Sequence, residues 1–340
     1  MNLFKNIWQG LRAAPTKSQT PQVLTEPQAT VSFDPNTKLF TRVPEQFATI
    51  ESLERKFHFA IIELETLGSD PKTHPILEIG ILKGCFTADG ITEIIDSYWS
   101  LNDPLAPLPA EISQSLGMTD QSVHGQFIDW QHVLQLISDC DVIICHNSRL
   151  KRSFLEMQTP DYIQEKCKEL PFGCLLKDIN WSLNGLDAAN LKLLTYDLGF
   201  FYEAKQVLTH CWASLNLLVQ VHGAFAELKN NVKKRGIILC IVDNKLDRSS
   251  LLKLKKYAYT DGSRRFPKCW WAIIPEDSLN HEMDFLTTEV LNHQDMAKSV
   301  TCYLIPSKMK HSARFKETPM HPYVEGESWV LRETELVLAD

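Results

Sequence analysis

The chain has 340 residues, 44% of them hydrophobic and 23% charged, a soluble globular composition with room for one large and one smaller domain that excludes fibrous and largely disordered classes. The net charge of −7 is uneven: between Lys229 and Lys268 twelve Lys and Arg face three acids, a surplus of nine positive charges that leaves −16 elsewhere and suggests a polyanion partner or a solvated basic face. Nine cysteines, odd in number and never spaced as CxxC, argue against a disulfide framework or zinc cluster; no apolar run has the length of a membrane span or a signal peptide, so a reducing, cytoplasmic setting is expected.

The first fifty residues predict a disordered tether, because positions 13 to about 45 are rich in Pro, Thr, Gln and Ser and poor in bulky groups. Ahead of it, Leu3, Phe4, Ile7, Trp8 and Leu11 share one helical face, which reads either as a docking or membrane-surface helix or as a frayed terminus.

From Phe57 the pattern alternates strand and helix. FHFAIIELE (57–65), ILEIGILKGCF (76–86) and ITEIIDSYWSL (91–101) predict three successive strands. PAEISQSL and WQHVLQLISD read as helices, DVIICHN as a short buried strand, and SRLKRSFLEMQ as the helix leaving its end. NLKLLTYDLGF and LTHCWASLNLLVQVHGAFAEL add further helices, which together imply a mixed sheet covered by helices over 57–228. A second, basic α/β module is expected over 229–320, as the βαβαβ order RGIILCIV, SSLLKLKKY, FPKCWWAII, PEDSLNHEMDFLTTEVL and KSVTCYLIP, followed by a tail at 321–340.

Positions two apart on a strand face one side, so Glu63 and Glu65 point together near the strand's end, the way hard cations are held. Such a pair alone is weak evidence, since surface strands often carry one. In the second module, DGSRRFPKCWW mixes Arg264, Arg265 and Lys268 with Trp271, the pairing of cations and rings used to bind single strands; alternation forbids Trp270 and Trp271 from facing solvent together.

IIELETLG, LPAEISQSLGMTDQSVHGQ and VIICHNSRLKRSFLE, in that order and spacing, resemble the DnaQ-like (DEDDh) 3′–5′ exonucleases, the group of the proofreading epsilon subunit of bacterial DNA polymerase III. That family's patterns are a DxET strand, PxEIxxLxGITDxxVxGQ, HNAxFDxxFL and a final HRAxxDC helix, and the resemblance runs from Phe57 to about Gln220. It implies an RNase H-like α/β fold, a mixed sheet flanked by helices. It also implies two Mg²⁺ or Mn²⁺ ions held by four carboxylates, a histidine base, and single-stranded DNA or RNA ends as partners.

Carried over residue by residue, the resemblance exposes departures. Glu63 stands for the family's first Asp, and Glu65 keeps the strand Glu. Lys151 stands where HNAxFD has its Asp; Lys205 stands for the His and His210 for the last Asp, in the alignment that keeps the spacing to Cys211. Aligning His210 to the family His instead puts Asn216 beside the Asp position, again without an acid. The first alignment sums to zero formal charge where the family has −4, so impaired or lost two-metal catalysis is expected, with at most a weakly held ion on Glu63 and Glu65. Thr66 and Leu67 match positions that hold the terminal nucleotide, and His146 and Asn147 also match, although such residues at a strand-to-helix junction equally serve as caps. Two alternatives stand beside this reading. One is an active exonuclease with a rearranged site completed by another acid such as Asp141 or Asp178; the other is a protein-interaction module on the same scaffold.

Overall fold

A computed structural model describes residues 40–186, 190–203, 206–242, 248–263, 266–291, 296–314 and 319–333. The amphipathic 1–14 segment, most of the expected tether, Lys205, Arg264 and Arg265 lie outside the described residues.

The longest strands follow the apolar runs. Strand β1 (Thr41–Arg42) precedes β2 (Phe57–Thr66), β3 (Ile76–Phe86) and β4 (Ile91–Leu101); β5 (Val142–Cys145) and β6 (Phe172–Cys174) come later. Helices α1 (Ala110–Leu116), α2 (Asp120–Val123) and α3 (Trp130–Ile137) lie between β4 and β5, and α4 (Ser148–Met157) and α5 (Asp161–Glu169) between β5 and β6. The sheet order is β4-β3-β2-β5-β6: β3 runs antiparallel to both β2 and β4, while β5 is parallel to β2 and to β6. This is a mixed sheet with β2 at its centre, an α/β architecture of the RNase H-like kind.

Alternation along β2 divides the core. Phe59 and Ile61 join the side packed by α6 (Leu191–Asp197), α7 (Val207–Gln220) and α8 (Ala224–Lys233), following the short β7 (Phe200–Phe201). Ala60, Ile62 and Leu64 join the side packed by α3, α4 and α5. Glu63 and Glu65 therefore share the parity of the α7 side. The single apolar helical run of the sequence is two helices, because Val221 leaves the helical region at ψ 112° and Gly223 turns the chain at φ 80°.

Part of the expected tether is placed. Thr41 and Arg42 pair in parallel with Phe200 and Phe201, Val43 is buried, and the Ile50 N–H donates to the Thr92 carbonyl at 2.7 Å. Ordering entropy is offset here by burial of Val43 and Phe47 against the core.

The C-terminal unit is one six-stranded sheet, built from β8 (Gly236–Ile241), β9 (Ala258–Thr260), β10 (Cys269–Pro275), β11 (Val300–Ile305), β12 (Pro319–Glu325) and β13 (Ser328–Glu333) in the order β13-β12-β11-β8-β10-β9. Every pairing is antiparallel, and α9 (Ser249–Leu254), α10 (Leu279–Phe285) and α11 (Met296–Ser299) link the strands. The tail expected from 321 is instead the β12–β13 hairpin, turned by Gly326 at φ 63°.

Candidate active site

Glu63 lies 2% exposed on β2. Its Oε1 accepts the His146 N–H at 2.5 Å, and its Oε2 stands 3.6 Å from the Lys151 ammonium, which also donates to the Leu64 carbonyl. These contacts follow from topology: β5 runs parallel beside β2 and ends at Cys145, so His146 and the first turns of α4 arrive at the carboxyl end of β2. Burial pushes the Glu63 carboxyl above its ordinary range, against the pull of Lys151 and the His146 N–H.

Glu65 is half-buried, and burial also raises its carboxyl, opposed by Lys151 and reinforced by Glu63. Its Oε1 is 3.7 Å from His210 Nδ1, beyond hydrogen-bond length. The His210 ring meets Tyr202 edge-on at 5.3 Å, and its Nε2 is buried with no hydrogen-bond partner among the described residues. Desolvation, with the nearby Lys151 charge, lowers His210 to about 4, so the imidazole is neutral at pH 7. Burial raises the Tyr202 hydroxyl, with the Glu63 charge adding to it.

A third carboxylate lies opposite the pair, one that sequence reasoning missed. Glu78 on β3 is in direct register with Glu65 and 1% exposed; burial, with bonds from the Trp99 indole and the Val207 amide opposing it, leaves its carboxyl raised. Val207 N–H donates to Glu78 Oε1 at 2.8 Å at the first turn of α7, so this acid anchors the helix that carries His210. Its parity within ILEIGILKGCF was the one sequence signal, and only the β2–β3 register gives it meaning.

Two acids considered as completing a site sit elsewhere. Asp141 Oδ2 accepts the His58 N–H at 2.8 Å, seven residues back along β2 from Glu65, roughly 23 Å at strand rise. Asp178 accepts from Cys174 N–H at 2.8 Å and Lys310 Nζ at 2.9 Å, and meets His311 Nε2 at 3.1 Å. Among the described residues, no group of three His, Cys, Asp or Glu side chains is placed to hold a metal ion.

The residues expected to hold a nucleotide are partly committed to the fold. Thr66 Oγ1 donates to the Gly68 carbonyl at 2.7 Å, and the Leu67 N–H is taken by the Pro75 carbonyl at 3.0 Å, with Leu67 packed on Leu77, Leu108, Met118 and Val123. Asn147 caps α4 through its carbonyl, which accepts from Leu150 and Lys151, while its side chain makes no capping bond.

In the C-terminal unit neither tryptophan of the expected patch is fully exposed or fully core. Trp270 packs on Tyr259 at 5.2 Å with the Lys253 ammonium 5.8 Å over its ring, and Trp271 packs on buried Phe266 at 5.8 Å on the opposite face. Part of the basic block is spent on neighbours: Lys234 on Asp277, Arg235 on Glu276 and Lys255 on Glu282. Lys268 remains exposed. No helix among the described residues is long and apolar enough to cross a membrane.

No family model matches the chain, and no curated protein matches it. Solved structures do resemble it. Exonuclease X in complex with a 5′ overhanging duplex DNA is 14% identical, covering 51% of this chain and 98% of that one at a TM-score of 0.39. Escherichia coli exonuclease I in complex with a dT13 oligonucleotide is 13% identical, covering 65% of this chain and 64% of that one at 0.42. A 3′-exonuclease described in 3′-end recognition of a histone mRNA stem-loop is 14% identical, covering 50% and 83% at 0.37. The chain covers between 48% and 64% of exonuclease I across its solved structures.

Proposed function

We propose that this chain is a DnaQ-like 3′–5′ exonuclease-family protein that binds nucleic-acid ends and whose two-metal catalysis is impaired or lost. One observation carries the reading: the Lys151 ammonium lies 3.6 Å from Glu63 Oε2 and is bonded to the Leu64 carbonyl, at the carboxylates that a divalent ion would need. A fixed positive charge there repels Mg²⁺ or Mn²⁺ by kilocalories even at an effective dielectric near 20. Both Glu63 oxygens are also engaged, one by Lys151 and one by the His146 N–H. These residues do not fit a pair of divalent cations.

The side chains support binding better than cutting. Lys151 offers a cation to a terminal phosphate, and neutral His210 beside Glu65 adds no charge of its own. Nine free, buried cysteines suit a reducing compartment, and a cytoplasmic location belongs to the same proposal.

The test is digestion of a 3′-labelled single strand with Mg²⁺ or Mn²⁺ by the natural protein, by Glu65→Ala, and by the set Glu63→Asp, Lys151→Asp, Lys205→His, His210→Asp. The expected result is no cutting by the natural protein, retained end binding, and cutting by the restored set. Cutting by the natural protein that Glu65→Ala abolishes would sink the proposal. Loss of binding to both DNA and RNA with retained capture of a protein partner would favour an interaction module instead.

A further inference from the structure

We propose that an open groove beside the candidate site seats the backbone of a single-stranded nucleic acid, and that residues 307–314 of the C-terminal unit form its second wall. The inference rests on the functional reading above and adds where the strand lies and which parts of the chain hold it.

The groove has a volume of about 330 Å³. Ser69 and Pro71 come from the loop after β2, Asn147 and Arg149 from the start of α4, Ser153 from its middle, and Ala313 from the C-terminal unit. Its lining residues are chain neighbours of the site. Asn147 follows the residue whose N–H holds Glu63 and lies four positions before Lys151, the spacing that puts both on one side of α4, and Ser69 lies three residues beyond Thr66. A strand whose end reaches Lys151 would leave the site along this groove.

The second wall is held firmly. Lys310 and His311 both meet Asp178, and Ser312 Oγ donates to Glu156 Oε2 at 2.7 Å. Arg152 is fully buried; it donates to Glu156 at 2.7 Å, to the Lys310 carbonyl at 2.9 Å and to the Cys167 carbonyl at 3.0 Å, with its guanidinium 4.3 Å from the Phe172 ring centre. Each partner is satisfied by another, which fixes the position of Ala313 against α4.

The lining points to phosphodiester backbone. Arg149 is exposed and forms no ion pair among the described residues, and Arg314, exposed and next in sequence to Ala313, donates to Gln164 at 2.8 Å. The Ser69 hydroxyl and the Asn147 amide, which makes no capping bond, supply neutral donors, while Ser153 Oγ already donates to the Leu150 carbonyl at 2.7 Å. No acid lines the groove among the described residues, and Asp70, between Ser69 and Pro71 in sequence, accepts the Lys72 N–H at 3.0 Å. No aromatic ring lines the groove, so contacts run to phosphate and sugar and tolerate any base sequence.

The experiment is fluorescence anisotropy of the full chain with labelled oligothymidylate and oligouridylate over a range of salt, with thermal melts confirming each variant folds. Arg149→Glu and Ala313→Glu are expected to weaken binding roughly tenfold each and to flatten its salt dependence. Ala313→Arg should tighten it. Lys233→Glu, the same charge change on α8 beside Phe57 at the other end of the sheet, should leave it within about twofold. A natural chain that binds neither oligonucleotide at low salt overturns the functional reading and this inference together. A chain that binds, with Arg149→Glu and Ala313→Glu both ineffective or with the loss confined to Lys268→Glu and Trp271→Ala, overturns the groove alone.

Discussion

Half-buried Lys151 and buried Glu63 form a pair in which the ammonium serves the main chain as well, standing 3.6 Å from Glu63 Oε2 while donating to the Leu64 carbonyl. Removing the cation strands a carboxylate that burial already pushes toward its neutral form. Lys151→Met should therefore lower unfolding free energy by about 3 kcal/mol in urea titrations, and Lys151→Met combined with Glu63→Gln should recover part of that loss. Strictly additive losses would mean the two side chains do not interact.

His210 sets a pH dependence of definite sign. Its ordinary value of 6.5 falls to about 4 in the fold, so the folded state binds fewer protons between those values. The stability it contributes is full above 6.5 and is lost as pH falls toward 4, amounting to about 2 kcal/mol between pH 7 and pH 5. Glu63, Glu65 and Glu78, all raised, act oppositely, their contribution present at low pH and lost as pH rises past their ordinary range. Comparing urea midpoints of the natural protein and His210→Gln at the two pH values isolates the histidine, and equal slopes would refute its desolvation.

Gly80 lies opposite Glu63 across the β2–β3 ladder, and a Cβ there would meet the Leu208 amide nitrogen at 2.8 Å and its Cα at 2.9 Å. Backbone cannot swing aside as a side chain does. Gly80→Ala should cost about 2 kcal/mol and displace the first turns of α7, and with them His210 relative to Glu65. A melting temperature equal to that of the natural protein would show that α7 has slack.

The Arg152 guanidinium is spent in three directions, so its replacement is expected to cost about 3–5 kcal/mol. Arg152→Lys should rescue little, because a single ammonium cannot reproduce the planar fork. Hydrogen exchange over 307–314 should rise in the same variants; unchanged exchange there would detach this segment from Arg152.

Where sequence and structure agree, the signal was local. β2, β3 and β4 were legible as apolar runs bounded by turn residues, and the junction from β5 to α4 as CHNS before an amphipathic helix. What stayed hidden depended on distant partners. The Thr41–Arg42 bridge has two residues and no periodicity; β6 has three, and β12–β13 packs Met320, Trp329 and Leu331 on the core but carries Pro319 and Pro322 within β12, residues that argue against a strand. At the site, Glu63, Glu65, Lys151 and His210 were singled out from the sequence, and the structure brings all four together. Glu78 escaped because its role is a register position across β3 and a bond to a helix 129 residues away.

The tie between Asp178 and Lys310 spans 132 residues, that between Glu156 and Ser312 spans 156, and that between Arg152 and Lys310 spans 158. The first sheet is therefore not finished when its own strands are made. Its charged interior waits for chain synthesised after β11, and closing such long loops is entropically slow. A polypeptide stopped after Lys233 holds every strand of the first sheet yet leaves the Asp178 and Glu156 carboxylates without Lys310, His311 and Ser312. The linker before β8 marks a change of sheet, while the bonds that complete the first sheet's charged interior run across it.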